Sequence, residues 1–175
     1  MLKIITSALC CFLIVYTVSG QEKRKFPYQD FSYVKVYLID TLQYEEIRKE
    51  MYSPLQPGEL VSIEKQEISK YFAFFKTIED RSTIDKLLSV VNNTKNYYIG
   101  DCSTVFIIGG LLFYNANNSI VAVIEISPTC HEVFFKPENQ AARGQLNKKG
   151  KEKWSELLLG LEIYTSHEAV TKAKK

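Results

Sequence analysis

The chain has 175 residues, of which 46% are hydrophobic and 24% are charged, and its formal net charge is +2. This balance excludes a disordered, collagen-like or multi-span membrane protein and is typical of one globular domain. So small a net charge provides no steering field for a polyanion, and we therefore expect no nucleic-acid partner.

Residues 1–20 have the layout of a secretory signal peptide. Lys3 precedes an apolar run over 4–18, and small residues follow that run. The run is short for a bilayer and has no basic stop-transfer flank. We expect a secreted or periplasmic protein with no membrane span after cleavage, and a single domain over 21–175 that ends in a basic polar tail. An uncleaved N-terminal anchor is the alternative.

Two cysteines, Cys102 and Cys130, remain once the predicted signal peptide is removed. An even number of cysteines in an oxidising compartment favours a disulfide between them. Neither cysteine belongs to a cluster of cysteines and histidines that suits a structural zinc ion, and no phosphate-loop motif is present. We therefore expect neither a metal nor another cofactor.

Apolar periodicity divides the chain up to residue 93 into strands and helices. It predicts a strand over 31–40, a helix over 41–52, a loop over 53–59, extended segments over 60–68 and 70–78, and a helix over 80–93. The two extended segments form either one long strand or two strands with a kink. Ser82 and Asp85 resemble a capping box at the start of the last helix.

Residues 101–130 predict a long β-hairpin, because two apolar β-rich runs flank a turn-forming Asn-Ala-Asn-Asn-Ser sequence. A three-residue loop over 115–117 places Tyr114 opposite Asn118. The same register then places Cys102 opposite Cys130, at a separation that suits a disulfide. The glycine pair 109–110 indicates either a bulge, which shifts this register, or a close packing contact.

Both faces of this hairpin are apolar, and we therefore expect it in the middle of a sheet that is covered on both sides. A further strand over 132–136, a polar connector over 137–147 and a helix over 148–164 follow, with Asn147 as the N-cap. The predicted fold is α+β: a mainly antiparallel sheet with a long disulfide-closed central hairpin, packed by two or three helices.

Few residues offer catalytic chemistry. His131 follows Cys130 and precedes Glu132 at the predicted open end of the hairpin. Glu125 is either an inward carboxylate with a raised pKa or an exposed or lysine-paired strand residue. A small hydrolase that uses His131 with Glu132 or Glu125 is therefore an alternative function. The chain lacks the Gly-x-Ser-x-Gly elbow of serine hydrolases.

Aromatic residues make up 13% of the chain. Tyr97 with Tyr98, and the aromatic run over 71–75, either form a binding face or belong to the core and sheet surface. Asn92 and Asn117 begin glycosylation sequons, which matter only in a eukaryotic secretory pathway.

A set of short features spans residues 100–160: Cys102, the Phe-Tyr-Asn strand 113–115, the Ile-Glu-Ile strand 124–126, Cys130, and the Leu-Asn-Lys-Lys-Gly-Lys helix start 146–151. In this order they resemble uncharacterised small exported proteins of Bacteroidetes-type bacteria. The resemblance implies a periplasmic location and carries no activity.

The leading hypothesis is an exported protein-binding or inhibitory module, such as a periplasmic immunity or envelope interaction protein. It depends on a predicted disulfide-linked scaffold, abundant tyrosine and the scarcity of catalytic motifs. A structural or adhesive surface domain is a third possibility, and it predicts self-association.

Overall fold

The computed structural model describes residues 25–39, 60–98, 107–127, 132–138 and 145–163. The predicted signal peptide, the predicted helix 41–52 and the loop 53–59 lie outside these residues. No helix among the described residues is long and apolar enough to cross a membrane.

The described elements are nine strands, two helices and one 3-10 turn. In chain order they are β1 (Tyr33–Ile39), β2 (Val61–Ser62), β3 (Glu67–Ile68), β4 (Phe72–Ile78), α1 (Arg81–Val91), a 3-10 turn (Thr94–Asn96), β5 (Tyr97–Tyr98), β6 (Gly109–Tyr114), β7 (Ile120–Ser127), β8 (Glu132–Lys136), β9 (Gln145–Leu146) and α2 (Lys148–Gly160). Seven strands form one antiparallel sheet in the order β4-β1-β6-β7-β8-β9-β5. The predicted α+β class and the mainly antiparallel sheet are confirmed.

Both helices pack on one face of the sheet. Their apolar stripes pack against core residues of the central strands. The resulting cluster includes Leu87, Leu157, Phe113, Val36 and Ile124. The opposite face carries a second cluster around Leu112 and Val123. Residues 60–69, which we name the cover hairpin, contribute Leu60 and Val61 to this second cluster. The strands β6 and β7 are therefore buried on both faces, as predicted for the middle of the sheet.

The segment 60–68 is not a continuous strand. Val61 pairs with Ile68 across a tight turn, so the chain folds back on itself. Gln66 adopts the left-handed conformation with φ of 57° at this turn. The Gln66 side chain accepts a hydrogen bond from the Ile120 N–H at 2.6 Å and donates to the Ile120 carbonyl at 3.1 Å. This tertiary contact with β7 holds a turn that local β propensity does not favour.

The two helix starts differ in how well the sequence predicted them. Asn147 caps α2 as expected, because its Oδ1 accepts a hydrogen bond from the Gly150 N–H at 2.9 Å. The predicted capping box of Ser82 and Asp85 is wrong. Asp80 is the N-cap of α1, and its carboxylate accepts hydrogen bonds from the Thr83 N–H and the Ser82 hydroxyl.

The predicted register of the central hairpin is also wrong. Tyr114 pairs with Ile120 rather than with Asn118, so five residues form the loop, and the register shift lies beside Phe113 and Tyr114. Asn115 closes this loop, because its side chain accepts hydrogen bonds from the Asn117 and Ser119 N–H groups. Asn118 follows in the left-handed conformation. The register argument for a disulfide is therefore removed, and Cys102 and Cys130 lie outside the described residues.

The glycine pair 109–110 reflects close packing rather than a bulge. Gly109 and Gly110 pair regularly with Ile126 and Glu125 of β7. A Cβ at Gly110 would lie 2.3 Å from Leu60 Cδ2 and 2.7 Å from the Ile124 carbonyl oxygen. Glycine at this position lets the cover hairpin lie directly on β6.

Candidate functional site

The outermost strand β4 carries an exposed aromatic surface. Phe74 is 53% exposed and Phe75 is 41% exposed, whereas Phe72 on the same strand is buried. The Phe74 ring meets the Tyr37 ring edge-on, with centroids 5.8 Å apart. We name Phe74, Phe75 and Tyr37 the edge patch.

A β-bulge explains why two consecutive phenylalanines are exposed. Val36 pairs with Lys76 and Tyr37 pairs with Phe74, so Phe75 is an extra residue on β4. A bulge reverses the alternation of side chains along a strand and can re-aim a side chain. Phe74 therefore lies on the face of the cover hairpin, whereas Lys76 and Ile78 lie on the helix face with Val36 and Val34.

Charged residues flank the edge patch along β4. Lys76 Nζ lies 3.5 Å from Glu162 Oε2 and 5.5 Å from the centroid of the Phe75 ring. Lys70 precedes the strand and lies over the Tyr71 ring, with its Nζ 5.1 Å from the centroid. Glu79 and Asp80 follow the strand, and both are exposed. The strand therefore has a cation before it and two carboxyl groups after it.

Next to the edge patch, a second aromatic pair continues along the face of the cover hairpin. The Tyr33 and Tyr114 rings stack with an interplanar angle of 6°, and Lys35 Nζ lies 4.9 Å from the Tyr114 centroid. The Tyr33 hydroxyl donates to Asn118 Oδ1 at 2.7 Å. Burial, together with a hydrogen bond to Tyr37, raises the pKa of Tyr114 well above its ordinary value. The phenol of Tyr114 is therefore neutral at physiological pH, and this pair acts as rigid support for the neighbouring surface.

Glu125 is a buried carboxylate that lies under the cover hairpin. It is 0% exposed, and Lys136 Nζ lies 3.3 Å from its Oε1. The same ammonium donates to the Val61 carbonyl at 3.1 Å. Glu125 is therefore directed inward, and it is paired with a lysine. A substrate would reach this carboxylate only if the cover hairpin moved.

Tyr97 and Tyr98 lie at the opposite edge of the sheet from the edge patch. The Tyr97 hydroxyl donates to the Val91 carbonyl at 3.0 Å, and burial raises the pKa of Tyr97 well above its ordinary value. Tyr98 is 46% exposed, and its hydroxyl donates to Gln145 Oε1 at 2.5 Å. Tyr97 is a structural residue, and Tyr98 is a single exposed ring.

The remaining predicted site residues are Asn92, Asn117, His131 and Glu132. Asn117 is exposed in the hairpin loop, whereas the Asn92 side chain is bonded to the backbone of Phe26. His131 lies outside the described residues. The backbone of Glu132 is part of β8, where it pairs with Ser127 and Gln145.

A groove of about 620 Å³ lies between the segment 25–31 and α1. The Arg81 guanidinium lines this groove, where its Nε lies 3.1 Å from Asp85 Oδ1 and its centre lies 6.0 Å from the Phe31 centroid. Lys25 and Asp30 also line the groove, so its two cations are matched by two carboxylates and it presents little net charge to a ligand.

The aromatic run over 71–75 predicted either a binding face or residues of the core and sheet surface. In the structure, its members differ in exposure. Phe72 belongs to the core, while Phe74 and Phe75 are exposed. The sequence contains no signal for this separation, because Phe72 and Phe74 lie on the same face of β4, and the bulge that exposes Phe75 depends on the register between β4 and β1.

Comparison with known protein families, with curated proteins and with solved structures finds no match to this chain. The resemblance over residues 100–160 stays a prediction.

Proposed function

We propose that this chain is an exported interaction module that binds another protein through the edge patch. The observation that carries the proposal is the pair of adjacent exposed phenylalanines on the outermost strand of a rigid sheet. Exposed aromatic side chains on a pre-organised surface are the usual anchors of protein interfaces. An isolated exposed phenylalanine needs no explanation, but two adjacent ones at a bulge, one of which contacts a third ring, form an apolar surface.

The architecture around the patch supports this role. Tyr37 supports Phe74 from the neighbouring strand, and the stacked pair Tyr33 and Tyr114 extends the same face. A partner would therefore meet ordered side chains, which lowers the entropy lost on binding. The charged residues around the patch provide a polar rim of the kind that surrounds interface cores.

The proposal includes export and a disulfide between Cys102 and Cys130. The N-terminal segment 1–20 and the even number of cysteines after it support both. The resemblance to exported Bacteroidetes-type proteins supports a periplasmic location. A periplasmic immunity or envelope interaction protein belongs to this class.

The competing hydrolase hypothesis has less support in the described residues. A general base needs access to the proton that it removes, and Glu125 is fully buried beneath the cover hairpin. His131 and the side chain of Glu132 are the remaining candidates for that chemistry.

A capture experiment with matched variants tests the proposal. The exported protein, kept oxidised, is immobilised and exposed to an envelope extract of its own cells, and the retained proteins are identified by mass spectrometry. We expect a stoichiometric protein to bind the wild type and Tyr98→Lys, which alters an exposed ring at the opposite edge, but not Phe74→Lys. Equal retention by Phe74→Lys would place the binding surface elsewhere. An empty wild-type column would overturn the proposed protein partner.

A further inference from the structure

We infer that the partner of the edge patch is the β4 strand of a second copy of this chain, added antiparallel about a two-fold axis near Phe75. This inference rests on the proposed role of the edge patch and names its partner. It corresponds to a symmetric dimer in which the same surface of each copy faces the other.

Among the described residues, β4 has an open edge. This strand ends the sheet, and among the described residues β1 is its single neighbour. The outer backbone groups of a terminal strand can accept a further strand. The exposed residues of β4 are mostly apolar, namely Ala73, Phe74, Phe75 and Thr77. Such an edge favours a partner that is itself an apolar β-strand.

Charged residues at the two ends of β4 differ in sign. Lys70 precedes β4, and Glu79 with Asp80 follows it, while the next cation, Arg81, pairs with Asp85 of its own helix. An antiparallel second copy places each Lys70 at the end where the partner's carboxyl groups lie, so opposite charges approach twice. A parallel copy would instead place like charges side by side, at an energetic cost. Charge complementarity therefore selects the antiparallel arrangement of two identical strands.

Lys76 is the lysine within this edge strand. Lysines often protect edge strands against pairing, because a partner strand would have to bury the charge. Lys76 is instead directed back toward its own chain, where it contacts Glu162 and the Phe75 ring. Its charge is therefore already neutralised on the helix face, and it does not protect the outer edge.

The bulge at Phe75 determines which contacts between the two copies contribute most to the interface. Phe75 interrupts regular pairing at the middle of β4, so the ladder between the two copies would consist of two short halves. The aromatic rings lie at this centre and the charged groups lie at both ends. An apolar centre with a charged rim is the usual organisation of a protein interface.

Sedimentation equilibrium of the exported protein between about 10 µM and 1 mM tests the inference. We expect a monomer–dimer equilibrium for the wild type and for Tyr98→Lys. Phe75→Lys should remain monomeric throughout this range. Lys70→Glu should raise the dimer Kd about tenfold, because two attractive contacts become repulsive. Adding Glu79→Gln and Asp80→Asn to Lys70→Glu should restore most of the affinity, since asparagine still caps α1.

A wild type that stays monomeric at the highest concentration would overturn the inference. So would a dimer whose Kd is unchanged in both Phe75→Lys and Lys70→Glu. The capture experiment distinguishes this failure from failure of the proposed function. If a different protein binds the wild type and not Phe74→Lys while the chain is monomeric, the edge patch binds that protein and the dimer is excluded.

Discussion

Asn92 and Phe26 are joined by two reciprocal hydrogen bonds. The Phe26 N–H donates to Asn92 Oδ1 at 2.9 Å, and Asn92 Nδ2 donates to the Phe26 carbonyl at 2.7 Å. The Phe26 ring inserts into the core, where it meets Phe113 and Phe135 edge-on. The end of α1 therefore fixes an N-terminal segment that has no regular secondary structure of its own.

Asn92→Ala should lower the free energy of unfolding by about 1–3 kcal/mol, because it leaves two backbone groups of a partly buried segment without their partners. Urea denaturation measures the loss. Asn117→Ala, at the exposed hairpin loop, is the control and should change stability by less than about 0.5 kcal/mol. Equal effects of the two substitutions would contradict the structural role of Asn92.

Two glycines of α2 provide a matched pair. A Cβ at Gly150 would lie 2.2 Å from the Asn96 carbonyl oxygen, whereas a Cβ at Gly160 meets nothing within 4 Å. We expect Gly150→Ala to lower the free energy of unfolding by about 1–3 kcal/mol through overpacking. Gly160→Ala should leave it unchanged or raise it by up to about 1 kcal/mol through helix propensity. Thermal denaturation of both variants measures the difference, and a stabilised Gly150→Ala would show that α2 does not approach the 3-10 turn so closely.

The Asp80 cap makes stability depend on pH. Hydrogen bonds from the Thr83 hydroxyl, the Ser82 hydroxyl and the Thr83 N–H lower the pKa of Asp80 from 3.8 to about 2. Because the folded pKa lies below the unfolded one, the stabilisation is present above about pH 4 and is lost as the pH falls toward 2.

We therefore expect the stability difference between the wild type and Asp80→Asn to be largest above about pH 4 and to shrink toward pH 2. Urea titrations at several pH values between 2 and 7 measure this difference. A difference that does not change with pH would show that the charge of Asp80 contributes nothing beyond the cap.

Removing only one partner of the ion pair between Lys136 and Glu125 should destabilise the protein. Lys136→Met should lower the free energy of unfolding by about 3 kcal/mol, because it removes the cation that faces a buried carboxylate. The double variant Glu125→Gln with Lys136→Met should recover part of this loss. Lys65→Met, on the exposed turn of the cover hairpin, is the control and should change stability by less than about 0.5 kcal/mol. Chemical denaturation of the wild type, the single variants Glu125→Gln and Lys136→Met, and the double variant measures the coupling between the two residues.

Local patterns were sufficient to predict the regular elements. Alternating apolar residues predicted β1 and β8, and the 3.6-residue stripe predicted α1 and α2 together with the cap at Asn147. The apolar character of both hairpin faces correctly predicted the central position of β6 and β7. Each of these features depends on residues that are close in the chain, so a short window of sequence contains the information.

The errors occurred where side-chain hydrogen bonds or distant contacts, rather than apolar periodicity, decide the outcome. Asn115 lengthens the hairpin loop and shifts its register, and Gln66 turns the segment 60–68 back on itself by binding Ile120. The choice between a bulge and close packing at Gly110 depends on Leu60, which is far away in the chain.

The sequence by itself determined the class of fold and the order of the longer strands and helices, because burial of periodic apolar residues requires them. Tertiary structure alone decided which aromatic residues are exposed. The bulge at Phe75 depends on the pairing of β4 with β1, and the position of β4 at the sheet edge depends on the topology. Phe72 and Phe74 have the same residue type and lie two positions apart, yet one is buried and the other is exposed, because the cover hairpin reaches only the first.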